Sequence, residues 1–364
     1  MGESQSAILS APLPQRILEV LRDEGGWLPF DRFMSLALYE PGLGYYANHH
    51  RKFGTMPDTG SDFATAPEMS PLFGRALAAQ VAQALQACAS GEVWEFGAGS
   101  GALAAQLLAA LGEQVAAYHV VELSAVLRER QAQRLQPWAG KLQWHDRLPE
   151  RIDGVLLGNE LLDALPVQLL HWDGRQWFER GVRADGEAFA WQDRPTTLRP
   201  PPHDAVPGAV VEIHPQAEAF VRTLAERMGR AVAFFIDYGF PESEYYHPQR
   251  SGGTLMCHRA HRADDDPLSD VGQKDITAHV NFSGIALAAQ DAGLTVLGYT
   301  SQARFLINCG LPALMQDAPL PEAIAAQRLI HEHEMGELFK VLGLARGVEL
   351  DALGFRTGDR SHRL

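Results

Sequence analysis

One short stretch, Val93–Gly101, constrains this chain more than any other; it reads V-W-E-F-G-A-G-S-G. An apolar run carrying a single acid, Glu95, leads into three glycines at alternate positions, Gly97, Gly99 and Gly101. The alanine- and leucine-rich run Ala102–Leu111 follows. The pattern predicts a strand, a tight turn and a helix N-terminus. Glycines tolerate positive φ and let a ligand lie against the backbone, where the first N–H groups of the helix have no intrahelical partner. Such a turn points to a nucleotide-like ligand.

The flanking sequence extends this unit. Strands are predicted at 92–96, 117–122, 141–145, 154–158, 231–237 and 294–299, with helices at 102–111, 124–135, 216–228 and 282–292. A long helix over 321–344 and a last strand over 347–353 complete the expected pattern. Alternating strands and helices imply an α/β fold, a doubly wound Rossmann-like parallel sheet with helices on both faces. The alternation breaks twice. Residues 167–215 contain strand-like runs joined by the hairpin signals Asp173-Gly174 and Asp185-Gly186, so an inserted β element is expected there. Residues 239–280 form a second, polar excursion. Ahead of the sheet, helices are expected at 15–23, 27–38 and 70–88, with a loop rich in Gly, Pro and aromatics over 39–71. A loop of that length is usually functional. The chain therefore divides into an N-terminal helical and lid-loop extension, 1–90, and a main domain, 91–364, carrying two insertions.

Composition excludes some partners. A net charge of −14 over 364 residues disfavours nucleic acid, whose phosphates need a basic surface. No apolar run approaches the roughly 20 residues of a membrane span, so stable membrane insertion is not expected. Cys88, Cys257 and Cys309 are far apart and follow no metal or disulfide spacing, which suits free thiols in a reducing cytoplasm. The run His331-Glu332-His333-Glu334 lacks the spacing of a metal-binding helix and is expected to be an exposed helix face. No metal site is predicted.

In an open doubly wound sheet, ligands bind at the carboxyl ends of the strands. Polar groups stand at nearly every such position: the Gly97 turn, Glu122, Asp146, Asn159-Glu160 and Asp237-Tyr238. The glycine turn alone fits two cofactors, because Gly97-x-Gly99-x-x-Ala102 also satisfies the dinucleotide fingerprint. Glu122 can accept hydrogen bonds from ribose hydroxyls of NAD or of S-adenosylmethionine. Two features favour the latter. Glu95 precedes the first glycine by two residues, where an acid can hold a cofactor amino group. The run G-N-E-L-L-D-A-L-P (158–166) follows the fourth strand, where methyltransferases keep their reacting residues.

Taken together, several motifs resemble the MidA-like methyltransferases, a family that includes the mitochondrial complex I assembly factor methylating arginine. They are F-D-R-F-M-S-L-A-L-Y-E-P-G-L-G-Y-Y (30–46), D-F-A-T-A-P-E-M-S-P-L-F-G (62–74), E-F-G-A-G-S-G (95–101), the 158–166 run, I-D-Y-G (236–239) and G-Q-K-D-I-T-A-H-V-N-F (272–282). The resemblance covers roughly residues 15–345. It implies a class I methyltransferase sheet, S-adenosylmethionine as cofactor and a protein arginine as substrate, with a complex I subunit the family's established target.

The expected site follows. Glu95, Gly97, Gly99, Gly101, Glu122, Leu123, Asp146, Asn159 and Thr65 are cofactor-binding candidates, and Glu160 and Asp163 are catalytic candidates. A guanidinium is planar, always charged and a poor nucleophile, and carboxylates can clamp its fork. Asp163 would face the same way as Glu160 if a helix starts at 160. Asn159 would hold the cofactor or orient the nucleophile. Thr65, Pro67, Glu68 and Phe73 are expected to form a lid. Tyr45 and Tyr46 would either line a cation pocket or pack in the core. The competing readings are a cofactor-binding assembly factor without turnover, a methyltransferase of a nucleic-acid or other non-protein amine, and an NAD enzyme.

Overall fold

A computed structural model describes residues 12–48, 65–186 and 188–364. The apolar runs form a central sheet of seven main strands: β1 (Glu92–Phe96), β2 (Ala117–Val121), β3 (Leu142–His145), β4 (Ile152–Asn159), β5 (Met228–Phe240), β6 (Thr295–Ser301) and β7 (Phe339–Arg346). Their order is β3-β2-β1-β4-β5-β7-β6, and the two-residue strand Val280–Asn281 lengthens the edge beside β5. Neighbours are parallel except β7, which runs antiparallel to both β5 and β6. The chain steps outward from β1 to β3 and returns to place β4 beside β1. That reversal opens a crevice between the carboxyl ends of β1 and β4.

Both faces of the sheet are covered. On one, the helices Pro71–Cys88 and Ala102–Leu111 bury Phe73, Leu77, Val81 and Leu107 against Val93, Val155, Phe234 and Val341. On the other, Pro215–Arg227 and Phe282–Asp291 bury Val221, Leu224 and Ile285 against Leu156, Phe235 and Leu342. Each such side chain contributes about 1.5–3 kcal/mol when fully buried. The helix Pro71–Cys88 starts where expected because Ser70 accepts the Leu72 N–H at 3.2 Å and Pro71 has no N–H to satisfy.

The C-terminal expectation fails. Instead of one helix over 321–344, a helix ends at Ile330, an irregular turn covers Glu332–Gly336, and β7 occupies Phe339–Arg346. Residues 347–353 form no strand. The segment F-K-V-L-G-L-A is buried on both faces, and a short run apolar on both faces carries no periodicity to separate strand from helix. Gly336 permits the break: a Cβ there would sit 2.5 Å from the Ile330 carbonyl carbon and oxygen. His331–Glu334 are exposed, as expected, but lie beyond the helix.

The first insertion is a five-stranded antiparallel sheet that includes Gln168–Trp172, Trp177–Asp185, Ala188–Pro195 and Val210–Ile213. Its turns fall at the predicted Asp-Gly pairs; at the first, Asp173 accepts the N–H groups of Arg175 and Gln176. The fifth strand, Leu28–Pro29, comes from the N-terminal extension. The second excursion holds a small sheet of Met256–Arg259, Arg262–Asp264 and Asp275–Thr277. Leu21 and Phe33 of the extension, Leu169 and Val182 of the first insertion, and Cys257 and Ile276 of the second share one core. Three distant segments thus make a single body beside the sheet. Among the described residues, no helix is long and apolar enough to cross a membrane.

Candidate active site

A cavity of about 1480 Å³ opens at the carboxyl ends of the strands. It is lined by the glycine turn after β1, by Glu122–Leu127 after β2 and by Asn159–Pro166 after β4 except Leu162. The extension and the second excursion supply the facing wall.

Gly97, Gly99 and Gly101 all adopt positive φ, at 65°, 53° and 78°. This region is unfavourable for a side chain, so the turn requires what the sequence places there. A Cβ on Gly97 would also lie 3.2 Å from Leu161 Cδ1. Beneath the turn, Glu95 is buried and accepts the Tyr118 hydroxyl at 2.7 Å. Burial pushes its carboxyl up to about 7, against the lowering effect of that hydrogen bond. Glu122 is fixed in place by the Ser124 N–H on Oε1 at 2.9 Å and by Gln131 on Oε2 at 3.3 Å. Burial raises its proton affinity too. Gln131 also donates to the Gly99 carbonyl at 3.0 Å, so one fully buried amide ties the acid to the glycine turn. Its sequence context, R-E-R-Q-A-Q-R, reads as a solvated helix face and gave no signal of this role.

Leu123 lines the cavity and is 69% exposed, an unusual state for leucine inside a site. Asp146 is exposed at the end of β3 and stays off the cavity wall; its neighbours Arg147 and Leu148 line it. Thr65 and Pro67 line the mouth, at the start of the one-turn helix Ala66–Met69. Glu68 anchors that turn to the glycine loop through Ser100 and through Arg134, whose Nη1 is 2.6 Å away. Phe73 takes no part in a lid, because it is fully buried in the core between helix and sheet. Tyr45 is likewise core, whereas Tyr46 reaches the cavity.

Acids crowd the other end. No helix starts at residue 160; the chain makes an irregular turn there. Glu160 takes φ +52°, a left-handed value rare outside glycine and asparagine, and its N–H donates to the Ile236 carbonyl at 2.9 Å. Asp237 holds the turn: its Oδ2 accepts the N–H groups of Leu161, Leu162 and Asp163 at 3.1, 2.8 and 3.3 Å. Asp163 therefore reaches the cavity beside Glu160 by a turn rather than by helical spacing. Burial first, and the Asp163 charge second, push Glu160 up to about 8. Burial also raises the proton affinity of Asp163 and Asp237, and the Tyr238 hydroxyl facing Asp163 works against it. Interacting carboxyls of this kind share protons and titrate as a group. Asn159 Nδ2 donates to Glu160 Oε1 at 3.1 Å. Asn159 Oδ1 and Asp163 Oδ1 are buried and have no partner among the described residues. Buried acceptors left in this state are expensive unless a ligand supplies donors.

A Rossmann-like sheet with a single reversed strand, β7, a glycine turn after β1 and acids after β2 and β4 defines an S-adenosylmethionine-dependent methyltransferase. Residues 76–300 match the model of a family of S-adenosyl-L-methionine-dependent methyltransferases, and the chain belongs to that family. A superfamily member from Burkholderia thailandensis, crystallised with S-adenosyl-homocysteine bound, is 48% identical with a TM-score of 0.94 over 99% of this chain and 97% of that one. A native crystal structure of a superfamily protein from Burkholderia thailandensis superposes with a TM-score of 0.90 at 47% identity over the same shares. The mitochondrial protein arginine methyltransferase NDUFAF7 of Danio rerio is 29% identical over 86% of this chain and 83% of its own length. The Drosophila melanogaster homologue is 28% identical over 95% and 87%. The cofactor is S-adenosylmethionine. The residues present suit it: a turn whose three glycines leave the backbone open, the buried acids Glu95 and Glu122 and an accessible apolar surface at Leu123 match its polar and aromatic parts. Among the described residues, no group of three or more His, Cys, Asp or Glu could hold a metal ion.

Proposed function

We propose that this enzyme methylates an arginine side chain of a protein. The observation that carries the reading is Glu160, held in a left-handed turn beside Asp163 at the buried acidic end of the cofactor cavity. The relatives named as protein arginine methyltransferases support it. The motif resemblance nominates a subunit of respiratory complex I as the first candidate substrate. Three buried free thiols suit a reducing cytoplasm.

In this reading the turn at Gly97, Gly99 and Gly101 admits the methionine part of the cofactor, and Glu95 faces its amino group, directly or through water. Glu122 accepts the ribose hydroxyls. Leu123 would offer its exposed side chain to the adenine and Thr65 and Asn159 would complete the enclosure, with Asp146 outside the cavity wall. S-adenosylmethionine supplies an electrophilic methyl group on a sulfonium. Glu160 and Asp163 clamp the guanidinium and aim one nitrogen in line, so positioning provides most of the acceleration. Entry of the cation replaces the proton that burial keeps on Glu160. After transfer, the alkylated nitrogen carries one proton too many and gives it up to this same group of carboxyls.

Labelled cofactor incubated with the enzyme and a lysate of its own organism tests the reading. Methylarginine found by mass spectrometry in a labelled protein is expected. Label on lysine, on nucleic acid or on a small amine would overturn it. A tight protein complex without label would favour an assembly factor instead.

A further inference from the structure

Asp275 has no place in the scheme above. It lies in the strand Asp275–Thr277 of the second excursion, is 2% exposed, and lines the same cavity as Glu160. The Tyr46 hydroxyl lies 2.9 Å from each of its carboxyl oxygens, and the Ile276 N–H donates to Oδ1 at 3.0 Å. The Tyr46 ring stacks on Tyr39, with centroids 5.6 Å apart and planes 19° from parallel. The Tyr39 hydroxyl donates to the Ala164 carbonyl at 2.8 Å, one residue beyond Asp163. A continuous set of contacts thus runs from the Glu160–Asp163 turn through two tyrosines to Asp275. It joins the sheet, the N-terminal extension and the second excursion, and it fixes the separation of carboxyl groups that the sequence places over a hundred residues apart. Both groups line the cavity, and the charge of Asp275 adds to the raised proton affinity of Glu160.

One carboxylate holds any amine. Two at a fixed separation favour a planar, delocalised cation with donors on more than one edge. We propose that Asp275 is a third acceptor-binding carboxylate, that Tyr46 positions it, and that the guanidinium is held between the Glu160–Asp163 pair and Asp275. This rests on the arginine reading.

The test uses the full chain saturated with S-adenosylhomocysteine and titrated, by NMR, with N-acetyl-arginine amide, N-acetyl-lysine amide and the neutral N-acetyl-citrulline amide. The wild type should prefer the arginine amide. Asp275→Asn should weaken it at least tenfold without changing S-adenosylhomocysteine affinity. Tyr46→Phe should weaken it about threefold and add nothing to Asp275→Asn, because it acts through that carboxylate. Wild-type arginine-amide affinity in Asp275→Asn, or additive effects in the double variant, would overturn the proposal alone. If Asp275→Asn loses S-adenosylhomocysteine affinity and so reports misfolding, Tyr46→Phe carries the test, and unchanged arginine-amide affinity there overturns it. A wild type that prefers the lysine amide, with that preference lost in Asp275→Asn, would overturn the arginine reading and keep the carboxylate's role. Equal binding of all three probes would overturn both.

Discussion

Replacing Glu160 by Gln should stabilise the ligand-free protein, by an amount that grows with pH. The Glu160 carboxyl titrates at about 8 in the folded chain, against an ordinary value of 4.5. Between those values the folded state binds a proton that the unfolded state has released, so stability falls as pH rises. A carboxyl displaced that far costs the folded state about 5 kcal/mol once fully ionised, and roughly 2–3 kcal/mol of this accrues between pH 6 and 9. Glutamine keeps the shape and does not titrate. Asp237 remains in both proteins, but the Glu160 charge is one of the causes that raise its proton affinity, so its loss eases ionisation of Asp237 and acts in the same direction. Urea unfolding of both proteins at pH 6, 7, 8 and 9 measures the difference. The stability advantage of Glu160→Gln should widen by about 2–3 kcal/mol across that range. A constant difference would show that Glu160 titrates normally, and the argument from its burial beside Asp163 would fail.

Other perturbations probe the remaining parts. Glu122→Ala should lower cofactor affinity about a hundredfold or more by calorimetry, because charge-assisted hydrogen bonds are worth about 1.5–3 kcal/mol each; unchanged affinity would remove Glu122 from the cofactor site. Gly97→Ala places a side chain at φ +65° and 3.2 Å from Leu161, and should cost about 1–2 kcal/mol in thermal unfolding together with weaker cofactor binding. Asp237→Ala leaves three backbone N–H groups at the Glu160 turn without their acceptor and should destabilise the protein by roughly 3 kcal/mol or more in denaturant unfolding. An unaffected midpoint would mean the turn holds its shape without that carboxylate.

The cofactor half of this site is written locally. Strand, glycine turn and helix follow one another within twenty residues, and the acids at 95, 122 and 160 stand where strands end. The acceptor half depends on distant contacts. Asp237 is visible in the sequence as a polar residue after a strand, but its task, gathering the N–H groups of Leu161–Asp163, exists only once β4 and β5 are paired. Asp163 reaches the cavity by a turn that no helical spacing describes. The Tyr46–Asp275 pair joins residues 229 positions apart. β7 was hidden for a different reason: a strand covered on both faces has no alternation, and alanine and leucine in its sequence mimic a helix. The connection through Gly336 is what lets the chain turn back and run antiparallel.

The most direct test of the central claim, that Glu160 orients the acceptor, is single-turnover methyl transfer to the arginine-bearing substrate protein, measured in parallel with cofactor affinity. Glu160→Gln should bind S-adenosylmethionine as tightly as the wild type and transfer its methyl group at least a hundredfold more slowly. Transfer by Glu160→Gln at the wild-type rate would contradict the account.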